Sequence, residues 1–202
     1  MTAETRFAEL GVATTFEAGG GAGLLSGSFI RVVPGSRAAG PARAASCGAA
    51  DNLAAHRALE RIEPGDVLVL AVAEQRPVAL VGELIAIQAK ARGAAAILVD
   101  GAVRDLDELV ALALPVWARS ISAAGPGKRV RGELDTPVEI GGVRIAPGDV
   151  VVLDGDGVVV VPEARRAEVL AAAEARGASE RDLVPRLEAG ELTLDLLGLR
   201  ED

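Results

Sequence analysis

VLVLAVAEQRPVALVGELIAIQAKARGAAAILVDGAVRDLDEL, residues 67–109, decides how this chain folds. VLVLAVA (67–73) and AAAILV (94–99) are unbroken apolar runs of strand length, as expected of strands covered on both faces. Between them GELIAIQAKARG reads as a helix opened by Gly82 and closed by Gly93. Strand, helix and strand in that order predict a β-α-β unit with parallel strands and a right-handed crossover. The second run ends in Asp100-Gly101 and then presents Arg104 and Asp105 where the chain turns into a helix. An adjacent Arg and Asp need not face each other, so the pair reads as part of a site before it reads as a salt bridge.

Upstream, ETRFAELGVATTFEAGGG predicts one or two short helices ending at Leu10 and Ala18, each before a glycine. RAAGPARAAS reads as extended, and Asp51 as the N-cap of a helix NLAAHRALERI that Pro64-Gly65 terminates, with Leu53, Leu59 and Ile62 on its apolar face. Beyond Trp117, PVEIGGVRIAPGDVVVLDGDGVVVVP predicts a β-meander with tight turns at its Gly-Gly, Pro-Gly-Asp and Asp-Gly-Asp-Gly elements. Residues 163–202 read as a helical extension of the domain formed by 1–162, covering the sheet or packing on a neighbouring subunit.

Composition narrows the function. Half of the 202 residues are hydrophobic but only 2% are aromatic, so Ala, Val, Leu and Ile must fill the core and few rings remain for stacking on bases. A net charge of -8 with scattered arginines opposes a nucleic-acid partner. No apolar run approaches membrane-spanning length, since VVVLDGDGVVVVP is broken by Asp and Gly, and MTAETRFAEL lacks the parts of a signal peptide. The expectation is a cytoplasmic protein. The lone Cys47 cannot form an intramolecular disulfide, and a single histidine with a single cysteine argues against a zinc site. The glycines at 19–23 lack both the Gly-Lys-Ser/Thr of a phosphate loop and the spacing of a dinucleotide fold. DGDG at 154–157 lacks the remaining ligands of a calcium loop.

Two segments carry candidate chemistry. At Gly82-Glu83-Leu84-Ile85 the start of a helix leaves backbone N–H groups unpaired at a positive dipole end, a seat for a carboxylate. Arg104 adds a planar charged fork for a carboxylate or a developing oxyanion, and Asp105 a hard oxygen for a hard cation. With Glu83 this makes two carboxylates, a set that suits Mg²⁺ retaining several waters. The competing reading is that Glu83 and Asp105 cap helices and Arg104 pairs with Glu108. His56, four residues after Asn52, shares a helix side with it, and both can reach one ligand. Cys47 reads as a buried structural thiol and Lys90 as a solvated charge. In RSISAAGPGKRVRGE, Arg119, Lys128, Arg129 and Arg131 are candidates to meet a second substrate carboxylate.

DNLAAHRALERIEPGDVLVL, GELIAIQAKARGAAAILVDGAVRDLDEL, PVWARSISAAGP and the late strand-turn series, taken in order, resemble the family of RraA-like proteins and class II pyruvate aldolases of the 4-hydroxy-4-methyl-2-oxoglutarate type, over roughly Leu10 to Pro162. The resemblance implies an α/β fold, a swivelling β/β/α sandwich, with 1–162 as the catalytic domain and assembly as a homotrimer or a hexamer of paired trimers. It implies cleavage of 4-hydroxy-2-oxo dicarboxylic acids to pyruvate and a second oxo-acid, with related oxaloacetate decarboxylation, dependent on Mg²⁺ or Mn²⁺. An acidic residue, twenty intervening residues and Arg-Asp form that family's site motif, matched here by Glu83 and Arg104-Asp105.

The implied roles are Asp105 as metal ligand, Glu83 as a second carboxylate acting through metal-bound water, and Arg104 holding the substrate keto oxygen. The amides after Gly82, at Leu84 and Ile85, hold the pyruvyl carboxylate. Asn52, His56 and Glu17 match pocket-lining positions, Glu17 reaching a neighbouring subunit's site. The first acidic position is usually Asp in the aldolases and is Glu83 here, which bears on substrate scope. The same family contains non-catalytic regulators that bind a ribonuclease and lose the metal-binding Asp; Asp105 is present. A methyltransferase reading, also attached to such proteins, finds no glycine-rich cofactor loop.

Overall fold

The computed structural model describes residues 1–200. In chain order the elements are α1 (Ala3–Ala18), β1 (Ile30–Arg31), β2 (Ala38–Cys47), α2 (Leu53–Ala58), β3 (Val67–Val72), β4 (Ala79–Val81), α3 (Glu83–Ala91), β5 (Ala96–Val103), α4 (Leu106–Leu112), β6 (Val116–Ile121), β7 (Glu133–Leu134), β8 (Val138–Ile140), β9 (Val143–Ile145), β10 (Val150–Asp154), β11 (Gly157–Val161), α5 (Arg166–Glu188) and α6 (Thr193–Leu196).

The main sheet runs β1-β6-β5-β3-β2-β10-β11, with β4 added beside β5 and β7 beside β2. β3 and β5 are parallel, as the β-α-β reading requires. β4, however, lies between β3 and α3 and was not anticipated; it pairs in parallel with the end of β5, and it is β4 rather than β3 that delivers Gly82. Nor does β5 stop at Asp100-Gly101. It continues to Val103 through a register shift between Val99 and Ala102, which lets one strand pair first with β3 and then with β4.

Alternation along the apolar runs assigns their faces. Leu68, Leu70, Ile97 and Val99 pack against α2, α3 and α4, whereas Val67, Val69, Leu98 and Trp117 face a second cluster shared with Val151, Leu153, Val158 and Val160. The opposite faces of β10 and β11, including Val150, Val152, Val159 and Val161, bury against Phe7, Val12, Val169 and Leu170 of α1 and α5. Two buried faces per strand explain why these segments read as continuous rather than alternating.

The sheet curls at β2. Ala38–Pro41 pair antiparallel with β10, and Ala42–Cys47 pair in parallel with β3, so the strand changes partner where proline removes a backbone donor. The strands expected as one meander form two antiparallel hairpins: β8-β9 is a sheet of its own, and β10-β11 closes the main sheet.

α1 is two helical segments joined at Gly11, whose φ of 82° and ψ of 178° leave the helical region. The kink is held by Asp154, whose Oδ2 accepts the Val12 N–H at 2.9 Å while its main-chain oxygen accepts Trp117 Nε1–H at 3.0 Å. One consequence is an orphan. A helical threonine hydroxyl ordinarily returns to the carbonyl four residues back, and for Thr15 that residue is Gly11. Thr15 is fully buried and its Oγ1 has no partner among the described residues. Replacing a buried unpaired hydroxyl by a methyl of the same shape is favourable. Thr15→Val is therefore expected to stabilise the unliganded protein by about 1 kcal/mol, raising Tm by about 2–4 °C in a thermal melt.

The helix after Asp51 is shorter than its sequence pattern. It runs Leu53–Ala58 and tightens into a 3₁₀ turn over Leu59–Arg61, burying Ala54, Ala55, Ala58 and Leu59, with Leu53 only half-buried. Asn52 occupies the cap position, and Asp51 supports the start from one residue earlier, its Oδ1 accepting the Leu53 N–H at 3.0 Å. Among the described residues no helix is long and apolar enough to cross a membrane.

Candidate active site

The carboxyl ends of β4 and β5 lie side by side, and each runs directly into a helix, so α3 and α4 start at the same edge of the sheet. The Arg104 N–H donates to Val81 O at 3.0 Å and locks the two ends together. Asp105 then takes a left-handed conformation, φ 58° and ψ 48°. For a residue with a Cβ this is strained by about 1–3 kcal/mol, the kind of outlier that collects at functional sites. Its carboxylate leaves α4 uncapped and reaches across to α3, where Oδ2 accepts the Glu83 N–H at 3.0 Å. The same oxygen lies 3.5 Å from Arg104 Nε. The neighbours thus do face each other, against the sequence-based argument, because the left-handed turn folds Asp105 back. Among the described residues Arg104 makes no pair with Glu108, and Asp105 Oδ1 has no protein donor.

Gly82 makes the arrangement possible. A Cβ built there would stand 2.4 Å from Asp105 Oδ2 and 3.1 Å from Arg104 Cγ. With the Glu83 amide occupied by Asp105, the N–H groups left unpaired in the first turn of α3 are those of Leu84 and Ile85.

Gly82, Leu84, Ile85, Arg104, Asp105, Asn52 and His56 line one cleft of about 80 Å³, together with Lys128. The cleft is open to solvent, so a small oxo-acid can enter it and the rest of a larger substrate can extend outward. Asn52 is buried, its Nδ2 donates to Leu80 O at 2.8 Å, and its Oδ1 has no donor. Leu84 contributes its backbone while its side chain is exposed.

Two expected site residues stand elsewhere. Glu83 joins through its backbone, and its side chain is not among the groups lining the cleft. Glu17, on α1, pairs with Arg176 of α5 and is absent from the cleft.

Lys128 is the one cation of its loop to line the cleft. Arg119 is committed to Asp100 at 2.8 Å and stacks on Phe29, 3.8 Å from the ring centroid. The loop is fastened by buried Asp51, whose Oδ2 accepts the Arg129 N–H at 2.7 Å, and by backbone bonds between Gly127 and Ala50 and between Asn52 and Gly127. Burial alone would raise the Asp51 pKa, but the N–H donors of Leu53, Arg129 and Val130, with nearby Lys128, outweigh it and hold the carboxylate below its usual range. The buried carboxylates of Asp66, Asp100, Asp149 and Asp154 are likewise taken by arginines or backbone N–H groups. The Cys47 thiol is pushed up to about 12 by burial and then by Asp51, which removes it as a nucleophile near neutrality.

Burial, and next the charge of Lys128, depress the His56 pKa below 6.5. The imidazole is therefore neutral at pH 7. Below pH 6.5 the unfolded chain takes up a proton that the folded chain resists, so this residue costs stability as the pH falls from 6.5 toward its folded pKa. His56 is the only histidine, so its NMR titration is unambiguous. The expected result is a pKa below 6.5 that rises in Lys128→Met without fully reaching 6.5, because desolvation is the larger cause; an unchanged pKa in the variant would separate the two side chains.

Among the described residues no three His, Cys, Asp or Glu side chains cluster as a metal cage. A hard divalent cation that keeps most of its waters needs only one or two carboxylates, and the open Oδ1 of Asp105 fits that requirement.

A protein of Halalkalibacterium halodurans provisionally named 4-hydroxy-4-methyl-2-oxoglutarate aldolase is 37% identical over 141 residues, 70% of this chain and 67% of that protein. The RNA-processing inhibitor RraA from Thermus thermophilis superposes with a TM-score of 0.63 at 31% identity, covering 67% of this chain and 82% of that one. An unusual member of the RNase ES inhibitor RraA protein family from Streptomyces coelicolor reaches a TM-score of 0.77 at 29% identity over 89% and 93% of the two chains. The family pattern itself matches residues 12–160, from the kink of α1 to the last strand and through the whole cleft, and the chain therefore belongs to the RraA-like family, Aldolase/RraA.

Proposed function

We propose that the chain is a divalent-metal-dependent lyase that cleaves 4-hydroxy-2-oxo dicarboxylic acids to pyruvate and a second oxo-acid, and that decarboxylates oxaloacetate at the same site. The observation that carries this reading is the meeting of the Arg104 guanidinium, the Asp105 carboxylate and the unpaired amides of Leu84 and Ile85 around one cleft. Both reactions generate the enolate of pyruvate, so one set of groups serves both. The amides hold the pyruvyl carboxylate at the positive end of α3. The Arg104 guanidinium faces the keto oxygen, where negative charge develops as the C3–C4 bond breaks. Buried Asn52 Oδ1 accepts a substrate hydroxyl, and neutral His56 adds no competing charge. Water activated by the Glu83 carboxylate takes the C4 hydroxyl proton as the C3–C4 bond breaks and returns a proton to C3 of the enolate, which releases pyruvate. Lys128 meets the second carboxylate at the mouth. Asp105, with Glu83 through water, would hold Mg²⁺ or Mn²⁺, which would supply Lewis-acid stabilisation of developing negative charge.

In this reading the working protein is a homotrimer or a pair of trimers in which Glu17 serves a neighbouring subunit's site. A second reading, a non-catalytic regulator that binds a ribonuclease, draws on the likeness to the Thermus and Streptomyces proteins and on the net charge of -8.

Pyruvate release followed by a coupled assay, with 4-hydroxy-4-methyl-2-oxoglutarate and with oxaloacetate, separates the two. Turnover that appears with Mg²⁺ or Mn²⁺ and disappears on chelation is the expected result. Failure of folded, metal-supplemented protein to release pyruvate from either compound would sink the lyase and leave the regulator.

A further inference from the structure

We infer that Asp51, which does not line the cleft, is a positioning residue: it fixes where Lys128 stands at the mouth, and through Lys128 it favours substrates that carry a second carboxylate. The consequence for substrates rests on the lyase function proposed above; the positioning itself does not.

Lys128 belongs to a stretch, residues 122–132, with no helix or strand of its own and a single bridge, between Gly127 and Asp51. An ammonium on a flexible four-carbon stem ranges widely unless the backbone on both sides of it is tied. On one side Gly127 donates to Ala50 O at 2.8 Å and accepts the Asn52 N–H at 3.0 Å. On the other the Arg129 N–H donates to Asp51 Oδ2 at 2.7 Å, and the Val130 N–H adds to it. Asp51 Oδ1 meanwhile accepts the Leu53 N–H at 3.0 Å. One buried carboxylate thus joins the start of α2, which brings Asn52 and His56 to the cleft, to the loop that brings Lys128.

Accepting on both sides requires a carboxylate. In asparagine one oxygen becomes an NH₂, and that donor would confront the N–H of either Leu53 or Arg129. Gly127 sets the same requirement from the loop side. Its φ lies outside the left-handed region, so the backbone admits alanine, but a Cβ there would stand 2.8 Å from Asp51 Oδ2.

Asp51→Asn and Gly127→Ala disturb this clasp from opposite sides. Gly127→Ala keeps the carboxylate and its charge, and it carries the test should Asp51→Asn fail to fold. In the NMR titration of His56, Lys128→Met raises the pKa in the wild-type background, and the same substitution is expected to raise it less in either clasp variant, because the ammonium no longer stands by the imidazole. Comparing Lys128→Met within each background cancels the charge that Asp51→Asn itself deletes. The titration needs no turnover. With oxaloacetate loss followed directly by ultraviolet absorbance, each clasp variant is expected to raise KM about tenfold while kcat stays within about threefold of wild type. Inhibition by pyruvate, which lacks the second carboxylate, should stay within about twofold. If the wild type turns over neither substrate, the lyase falls and the titration alone decides the clasp. An equal Lys128→Met shift in every background, an unchanged KM, or pyruvate inhibition weakened as much as oxaloacetate binding would each overturn the proposal.

Discussion

Asp105→Ala is expected to lower metal-dependent pyruvate release by about 10³-fold, which is about 4 kcal/mol of transition-state stabilisation. The substitution removes a carboxylate with three engagements: Oδ1 is open to a cation, while Oδ2 holds the Glu83 amide and faces Arg104 Nε. Asp105→Asn separates them. An amide oxygen still accepts the Glu83 N–H but is a weaker ligand for a hard cation, so this variant should recover part of the rate at high Mg²⁺ while the alanine variant does not. Asp105→Gly provides the stability control. It loses the same carboxylate but relieves a left-handed Cβ, so it should melt above Asp105→Ala while being equally inactive. Wild-type turnover by Asp105→Ala, with its metal titration unchanged, would remove this residue from the chemistry.

The second large effect is expected at Gly82, where no functional group is lost. Its φ of -142° and ψ of -167° are open to any residue, so the backbone tolerates alanine. The space does not: the new methyl would lie 2.4 Å from Asp105 Oδ2. The carboxylate must swing off the α3 amide by the order of an ångström, and misplacement of that size costs about 10²-fold in rate. Gly82→Ala should therefore lose kcat about a hundredfold while its melting profile stays close to wild type. Equal kcat in a folded Gly82→Ala protein would mean that the seating of Asp105 on α3 has no catalytic importance.

The sequence disclosed those parts of the molecule that obey a period or a fixed spacing. VLVLAVA and AAAILV are legible because strands buried on both faces must be continuously apolar, and the helix between them is framed by glycines. Arg104-Asp105 stood out by its place after a strand. β4 escaped notice because a three-residue strand has no period to detect, and its pairing lies on the far half of β5. The left-handed turn at Asp105 is likewise invisible, since it depends on what the carboxylate finds across the sheet edge. Lys128 and Arg119 look equivalent in a list of loop cations, yet Asp100 takes one and leaves the other to the cleft. Thr15 gave no signal because its isolation arises from a kink that Asp154, far along the chain, imposes on α1.

The partner change within β2 also dictates an order of assembly. Ala42–Cys47 find β3 within the next stretch of chain, whereas Ala38–Pro41 wait for β10, on the far side of the whole parallel unit. Contacts of such long sequence separation close slowly. A nascent chain can thus complete the half-sheet that carries the cleft while Val67, Val69, Leu98 and Trp117 still face water, a sticky intermediate that β10 and β11 later cover. Trp117, the single tryptophan, is sealed in that last step by its bond to Asp154, so its fluorescence times the arrival of β10 and not the birth of the cleft.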